Sequence, residues 1–103
     1  MLITYNLNVA MQNKNINKIR KKLDKLDDSM LSIIKKRSIL VNKILSEKKF
    51  KKQIIDNKRI HKILKRIKIK SKLQKIDTKI TNAIWKSMIR AFINYEFRNF
   101  KKK

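Results

Sequence analysis

The fold is decided by residues 16–44, which read INKIRKKLDKLDDSMLSIIKKRSILVNKI. Apolar side chains recur there at alternating spacings of three and four residues, a pattern typical of the seam of a long amphipathic helix. The seam consists of Ile16, Ile19, Leu23, Leu26, Met30, Ile33, Leu40 and Ile44. The pattern predicts a first helix from about Asn15 to Lys49. Such a helix spans roughly 52 Å, whereas a compact monomer of this size has a radius of gyration of ~13 Å, so we expect half of it to pack on a second copy.

Two shorter helices are predicted after the seam. Asp56 and Asp77 precede them as N-caps, because a carboxylate there accepts hydrogen bonds from the free amides of the first turn. The second helix carries Ile60, Ile63, Leu64 and Ile67; a polar connector follows from Lys70 to Ile76, and the third helix runs from about Thr78 to Phe100. We therefore expect an all-α fold with three helices per chain in an intertwined homodimer. Residues 1–14 form an N-terminal extension, 15–100 the helical domain and 101–103 a frayed basic tail.

The composition excludes several kinds of site. The 103 residues include no Gly, Pro or Cys, which removes thiolate metal sites, disulfides and the usual turn residues of a sheet protein. One His and seven acidic residues offer no metal-ligand cluster, so we expect no metal and no cofactor. The first residues lack the features of a secretory signal, and no stretch reaches the ~20 apolar residues needed to cross a membrane. We expect a cytoplasmic protein with no membrane partner.

The formal net charge of +23 permits two interpretations. Clustered cations favour a polyanion such as nucleic acid. Alternatively, an AT-rich genome enriches Lys, Ile and Asn in a protein of any function. The 24 lysines against six arginines favour coding bias, because specific readout prefers the guanidinium fork of arginine. We therefore expect no specific nucleic-acid partner.

Arg37 interrupts the apolar seam of the first helix, with Ile33 before it and Leu40 after it. A buried guanidinium is costly without an anion. The anion is either an acidic neighbour in the protein or a ligand, unless the side chain extends to solvent. Lys48 follows eleven residues later, and at 100° per residue both side chains share one face.

Three further charged residues are placed toward the same interior. Arg59 lies in the first turn of the second helix. Arg20 lies roughly 100° around the first helix from Arg37 and is therefore expected to reach the site of a partner chain. Glu96 follows Phe92 by four residues on an apolar face, and is either an ion-pair partner of a lysine or a functional acid. Several inward cations and one carboxyl suit a small dianion better than an exposed DNA surface.

These residues, in this order, resemble the all-helical class of chorismate mutases, of the bacterial monofunctional type. The resemblance covers residues 16–97. It rests on IRKKLDKLD (19–27), Leu31, Ile34, Arg37, Lys48, DNKR (56–59), Leu64, IWKSMI (84–89) and Glu96.

The resemblance implies the role of each candidate residue. Arg20 would cross into the partner's site, and Arg37 would hold a carboxylate of chorismate within its own chain. Lys48 would contact the side-chain carboxylate and the ether oxygen, beside Glu96. The remaining implied contacts are to the ring: Arg59 lines the pocket, Asp56 holds the ring hydroxyl largely through its backbone, and Phe92 stands where a small polar residue often supports the ring carboxylate. The residue after Arg59 is often Glu, which bonds the ring hydroxyl, but here it is Ile60; an unpaired hydroxyl costs on the order of 1–3 kcal/mol.

The implied activity is the pericyclic rearrangement of chorismate to prephenate, in the shikimate pathway to Phe and Tyr. Proton donation by Glu96 to the ether oxygen requires its protonated form, so activity is expected to rise toward acidic pH. Three alternatives stay open: an isochorismate pyruvate lyase on the same fold, a basic helical nucleic-acid binder, and an inactive or regulatory member of the family.

Overall fold

The computed structural model describes the backbone of residues 2–101 and the side chains of residues 6–101. Outside it lie Met1, Lys102 and Lys103. The predicted frayed tail, residues 101–103, therefore lies mostly outside the described residues. The described residues form three α-helices and no strand: α1 (Leu2–Glu47), α2 (Asn57–Leu73) and α3 (Thr78–Asn99). The predicted all-α class with three helices is confirmed. None of these helices combines the length and the hydropathy that crossing a bilayer requires.

The first helix begins at Leu2 rather than near Asn15. Residues 2–14, predicted as an extension that precedes the helix, are helical because they contain neither Pro nor Gly, the two residues that most disfavour a helix interior. At the other end, α1 stops at Glu47, two residues earlier than predicted. The division into an extension, a helical domain and a tail stays a prediction.

The chain separates into two compact units, Met1–Arg37 and Ser38–Lys103, called here the N-terminal and C-terminal units. In the N-terminal unit, the seam is exposed: Ile19, Leu23, Leu26 and Ile33 each keep more than half of their accessible surface. Among the described side chains, the buried apolar residues are Leu45 and Ile54, both in the C-terminal unit.

The segment between α1 and α2 contains a 3-10 turn, Lys51–Gln53. The side-chain oxygen of Gln53 accepts hydrogen bonds from the backbone amides of Lys49 and Phe50, at 2.7 and 2.9 Å. Ile54 is buried immediately after the turn. Asp56 then caps α2 as predicted, since its carboxylate accepts from the amide of Arg59 at 3.0 Å.

Helices α2 and α3 pack against each other as a hairpin. α2 continues to Leu73, so the predicted polar connector is shorter than the sequence indicated. Lys75 adopts a left-handed conformation (φ 57°), with Ile76 N donating to Ser71 O and Lys75 N to Lys72 O. This is a Schellman cap, in which a lysine occupies the position usually held by Gly.

Asp77 begins α3 as predicted, with its carboxylate accepting from Lys79 N at 2.8 Å. Inside the hairpin, the buried Ser71 hydroxyl donates to Ile67 O or to Thr81 Oγ1, each within 2.8 Å. Buried hydroxyls are costly without hydrogen-bond partners, and this contact supplies a partner to both. It also fixes the position of α2 relative to α3 along their axes.

Candidate active site

A largely buried ion pair in the C-terminal unit joins Lys48 to Glu96. The ammonium Nζ of Lys48 lies 2.8 Å from Glu96 Oε1, and the two side chains keep 17% and 8% of their accessible surface. The residues are 48 positions apart in the sequence. The structure therefore brings together the two residues predicted to act on the ether oxygen.

Both residues are positioned by the ends of helices. Lys48 directly follows α1, and its amide donates to Leu45 O at 3.1 Å. Glu96 lies in the last turns of α3 beside Tyr95, whose hydroxyl donates to Asn42 Oδ1 at 2.8 Å. Tyr95 and Glu96 thus tie the end of α3 to the part of α1 that belongs to the C-terminal unit. This is the ion pair that the sequence left open as an alternative, and it also sets an acid and a cation side by side.

An open groove of about 410 Å³ borders Lys48 but not Glu96. It is lined by Lys48, Gln53, Ile55, Asp56, Asn57 and Lys58. Lys48 and Lys58 give it two cations, whereas the carboxylate of Asp56 is already engaged in capping α2. The backbone carbonyl of Asp56 also accepts a hydrogen bond, from Ile60 N at 3.0 Å. The contact of Asp56 with the ring hydroxyl stays a prediction. Gln53 and Lys58 are not predicted from the sequence as lining residues. The one sequence signal for Lys58 is its place within DNKR (56–59).

The remaining predicted residues differ in exposure. Arg59 is exposed in the first turn of α2, and Phe92 on α3 is half-buried. On the N-terminal unit, Arg20 is exposed, whereas Arg37 is half-buried with its Nε inaccessible to solvent. Arg37 is thus the least exposed basic residue described in that unit. The meeting of Arg20 and Arg37 with Lys48 in one site stays a prediction.

The sequence matches the family described as chorismate mutase type II over residues 19–97. The chain belongs to this family. Chorismate mutase is an isomerase, so the protein is assigned to that class of enzyme. No individual curated protein and no solved structure matches the chain.

All seven predicted site residues fall within the span that matches the chorismate mutase family, from Arg20 near its start to Glu96 near its end. The two departures from the family pattern, Ile60 and Phe92, are both half-buried, on α2 and α3 respectively. Both side chains are apolar, so neither can supply the hydrogen bond of the polar residue that it replaces.

No group of three or more His, Cys, Asp and Glu side chains gathers anywhere in the part of the chain with described side chains. The expectation that this chorismate mutase needs no metal or cofactor stays a prediction.

Proposed function

We propose that this chain catalyses the rearrangement of chorismate to prephenate in the biosynthesis of Phe and Tyr. The reaction breaks the ether C–O bond of chorismate while a C–C bond forms within the same molecule. It requires no external nucleophile. The observation that carries the proposal is the contact of Lys48 with Glu96 beside a cationic groove, within the span that matches the family.

The first task of the protein is to fold a flexible dicarboxylate into its reactive chair. In the proposed site, Arg37 of one chain and Arg20 of a second chain each hold one carboxylate. Guanidinium groups bind carboxylates in a fixed bidentate geometry, so two of them restrict rotation of the substrate. This positioning lowers the activation barrier of the rearrangement, because the substrate loses its rotational freedom on binding, before the chemical step.

The second task is to stabilise the negative charge that develops on the ether oxygen. Lys48 supplies a positive charge there, and Glu96 donates a hydrogen bond when it carries a proton. Asp56 contacts the ring hydroxyl through its backbone, while Arg59 and Phe92 line the ring side. Binding of chorismate requires Lys48 to exchange part of its contact with Glu96 for a contact with the substrate.

The proposed assembly is a homodimer. Its support is the exposed seam of the N-terminal unit, where five successive seam residues from Ile19 to Ile33 are each about half exposed or more. Apolar surface repeated along a helix at this spacing is typical of a helix that packs on another helix. A second copy carries the same seam and would bury both. The cytoplasmic location stays a prediction.

The first experiment measures the turnover of chorismate by the purified protein. Arg37→Ala is expected to lower kcat/KM by about 10²–10³-fold, the usual effect of removing one charge-stabilising donor. Arg90→Ala, which removes an exposed arginine of α3, is the matched control and should retain the activity. Turnover of isochorismate to pyruvate and salicylate in place of chorismate would contradict the proposal, as would equal activity in both variants.

A second experiment tests whether each site uses two chains. Arg20→Ala and Arg37→Ala are each expected to be inactive as homodimers. In a dimer formed from one chain of each kind, one site regains both arginines and the other loses both. Random exchange of subunits should therefore restore about a quarter of the original activity. If the mixture is no more active than either variant alone, then the two chains do not share a site. That result would not bear on the proposed reaction.

The role of Glu96 predicts a pH profile. The rate is expected to rise toward acidic pH, because only the protonated carboxyl donates to the ether oxygen and the ionised one repels its developing charge. Glu96→Gln donates at every pH and should flatten the profile. A rate that stays constant between about pH 5 and 8 in the unchanged protein would contradict this role.

A further inference from the structure

A strongly basic surface lies on α2 and extends well beyond Lys58 and Arg59, the two of its residues that border the proposed active site. The helix carries eight Lys and Arg residues within its 17 positions, and no acidic residue. All eight are exposed: Lys58, Arg59, Lys62, Lys65, Arg66, Lys68, Lys70 and Lys72. At 3.6 residues per turn they occupy an arc of about 200°. The opposite side of the helix carries the half-buried Ile60, Ile63, Leu64 and Ile67.

The charge of this face is not balanced by the protein. In the described part of the chain, none of these eight cations forms an ion pair, and the pair of Lys48 with Glu96 lies outside α2. Asp56 and Asp77, the acidic residues at the N-termini of α2 and α3, have their carboxylates engaged as caps.

The basic surface continues across the hairpin onto α3. A groove of about 460 Å³ between α2 and α3 is bordered by His61, Lys65, Lys68 and Lys79, with Thr78 and Asn82 as further hydrogen-bonding groups. Its floor includes Leu64 and Ile67. The cations of α2 and α3 therefore border a groove, so the basic surface is concave as well as convex.

We propose that this face, called here the α2 basic face, binds the phosphate backbone of nucleic acid without sequence preference. A row of cations from Lys58 to Lys72 extends about 21 Å along the helix, and a nucleic-acid backbone presents an equally uniform row of anions. The face has no Phe, Tyr or Trp for base stacking and only two arginines. This composition therefore favours contacts to phosphates over contacts to bases.

A membrane surface is the less favoured anion. The apolar side of α2 is occupied by its packing on α3, whereas an interfacial helix needs that side free to enter the lipid. Ile69 and Leu73 are exposed at the C-terminal end of the basic face, so insertion of these two side chains is the specific alternative to test.

The experiment measures binding of the full-length protein to one labelled duplex, prepared as DNA and as RNA, over a range of salt concentrations. Log affinity should fall linearly with log salt for both, with about −0.9 of slope for each duplex DNA phosphate neutralised. Lys62, Lys65, Lys68 and Lys72 are replaced together by Gln. This variant should lose about 3–4 units of slope and at least about tenfold in affinity at 0.1 M salt.

The matched control replaces Lys14, Lys18, Lys21 and Lys25 of α1 by Gln. These lysines are exposed and lie opposite the seam, among the acidic Asp24, Asp27 and Asp28. The control removes the same charge, yet it should leave slope and affinity close to those of the unchanged protein. Replacing the four α2 lysines by Arg keeps the charge and should keep the binding, which guards against loss through misfolding. Chorismate turnover should persist in every variant, because none of these residues belongs to the proposed active site.

Three outcomes would overturn the proposal. Equal losses in the α2 variant and the α1 control would mean that net charge alone attracts the nucleic acid. No measurable binding at 0.1 M salt would remove the interaction altogether. Tighter binding to phosphatidylserine vesicles than to the duplex, abolished by Ile69→Ser with Leu73→Ser, would assign the face to a membrane.

Discussion

The two units of this chain bury their apolar residues to very different extents. In the N-terminal unit every described residue from Asn6 to Lys36 is exposed, including the seam leucines and isoleucines. The C-terminal unit holds Leu45, Ile54, Ser71, Thr81 and Glu96 in buried positions. The part of α1 in the N-terminal unit carries a core-like apolar pattern without a core, whereas the rest of the chain builds a small core of its own. A three–four apolar spacing therefore predicts a helix, but it does not predict what covers the apolar side of that helix.

The largest effect is expected from placing charges in the seam. Leu23→Asp with Leu26→Asp removes two apolar side chains worth about 1.5–3 kcal/mol each on burial and adds two anions to the proposed interface. We expect dimer dissociation to become at least about 10³-fold easier, with loss of chorismate turnover. Sedimentation at several concentrations measures the change.

The matched control is Lys21→Asp with Lys25→Asp, on the opposite side of the same helix, which should leave the assembly intact. If the seam variant sediments like the unchanged protein, then the N-terminal unit does not depend on a partner and the comparison fails.

The next effect concerns the buried ion pair of the C-terminal unit. Lys48→Met leaves Glu96, whose side chain keeps 8% of its accessible surface, without its cation, and should lower the free energy of unfolding by about 3–5 kcal/mol. Adding Glu96→Leu removes the stranded charge and should recover most of that loss, while activity stays absent in both variants. Urea unfolding measures stability, and chorismate turnover measures function. A double variant as unstable as Lys48→Met would show that the pair contributes by packing rather than by charge.

A smaller effect distinguishes acids that cap helices from acids that do not. Asp77→Ala removes the acceptor of the Lys79 amide at the start of α3 and should destabilise the protein by about 1 kcal/mol. Asp28→Ala, an exposed position within α1, has no capping role and should change stability by no more than about 0.5 kcal/mol. Thermal unfolding of the two variants side by side checks the difference, and equal losses would contradict it.

The smallest expected effect is a gain in the stability of the fold. Lys75 has a φ of 57°, which costs a non-glycine residue about 1–2 kcal/mol, whereas Gly adopts it without strain but loses more chain entropy on folding. Lys75→Gly is therefore expected to stabilise the fold by about 0.5 kcal/mol. Lys75→Val should destabilise it, because a β-branched side chain fits this conformation worst. Chemical denaturation with both variants tests the opposite signs.

Features set by local chemistry were predictable from the sequence. Asp56 and Asp77 were identified as caps because a carboxylate at the start of an apolar-periodic segment meets free amides whatever surrounds it. The all-α class followed from the seam and from the absence of Gly and Pro. The start of α1 at Leu2 is not predictable from the sequence, because the apolar residues from Ile3 to Met11 alternate as in a strand rather than recur at helical spacing.

Features that depend on distant residues were only partly predictable. Lys48 and Glu96 were each singled out, but their contact joins positions 48 residues apart and required the fold. The hydrogen bond of Ser71 with Thr81 gave no sequence signal, because single Ser and Thr residues within helices are common and most face solvent. The left-handed Lys75 was equally hidden, since Gly is the residue that normally marks such a position.

The short connection between α2 and α3 has a consequence for the order of events during folding. The hairpin joins neighbours in sequence across only Gln74–Asp77, so it can close early without a large loss of loop entropy. In the proposed dimer, the seam of α1 gains its contacts only when two chains meet, and most of the stability of a helix in a protein comes from such packing. We therefore expect a fast phase that is independent of protein concentration, followed by a second-order phase. The appearance of catalytic activity should then follow the collision of chains rather than the folding of either one.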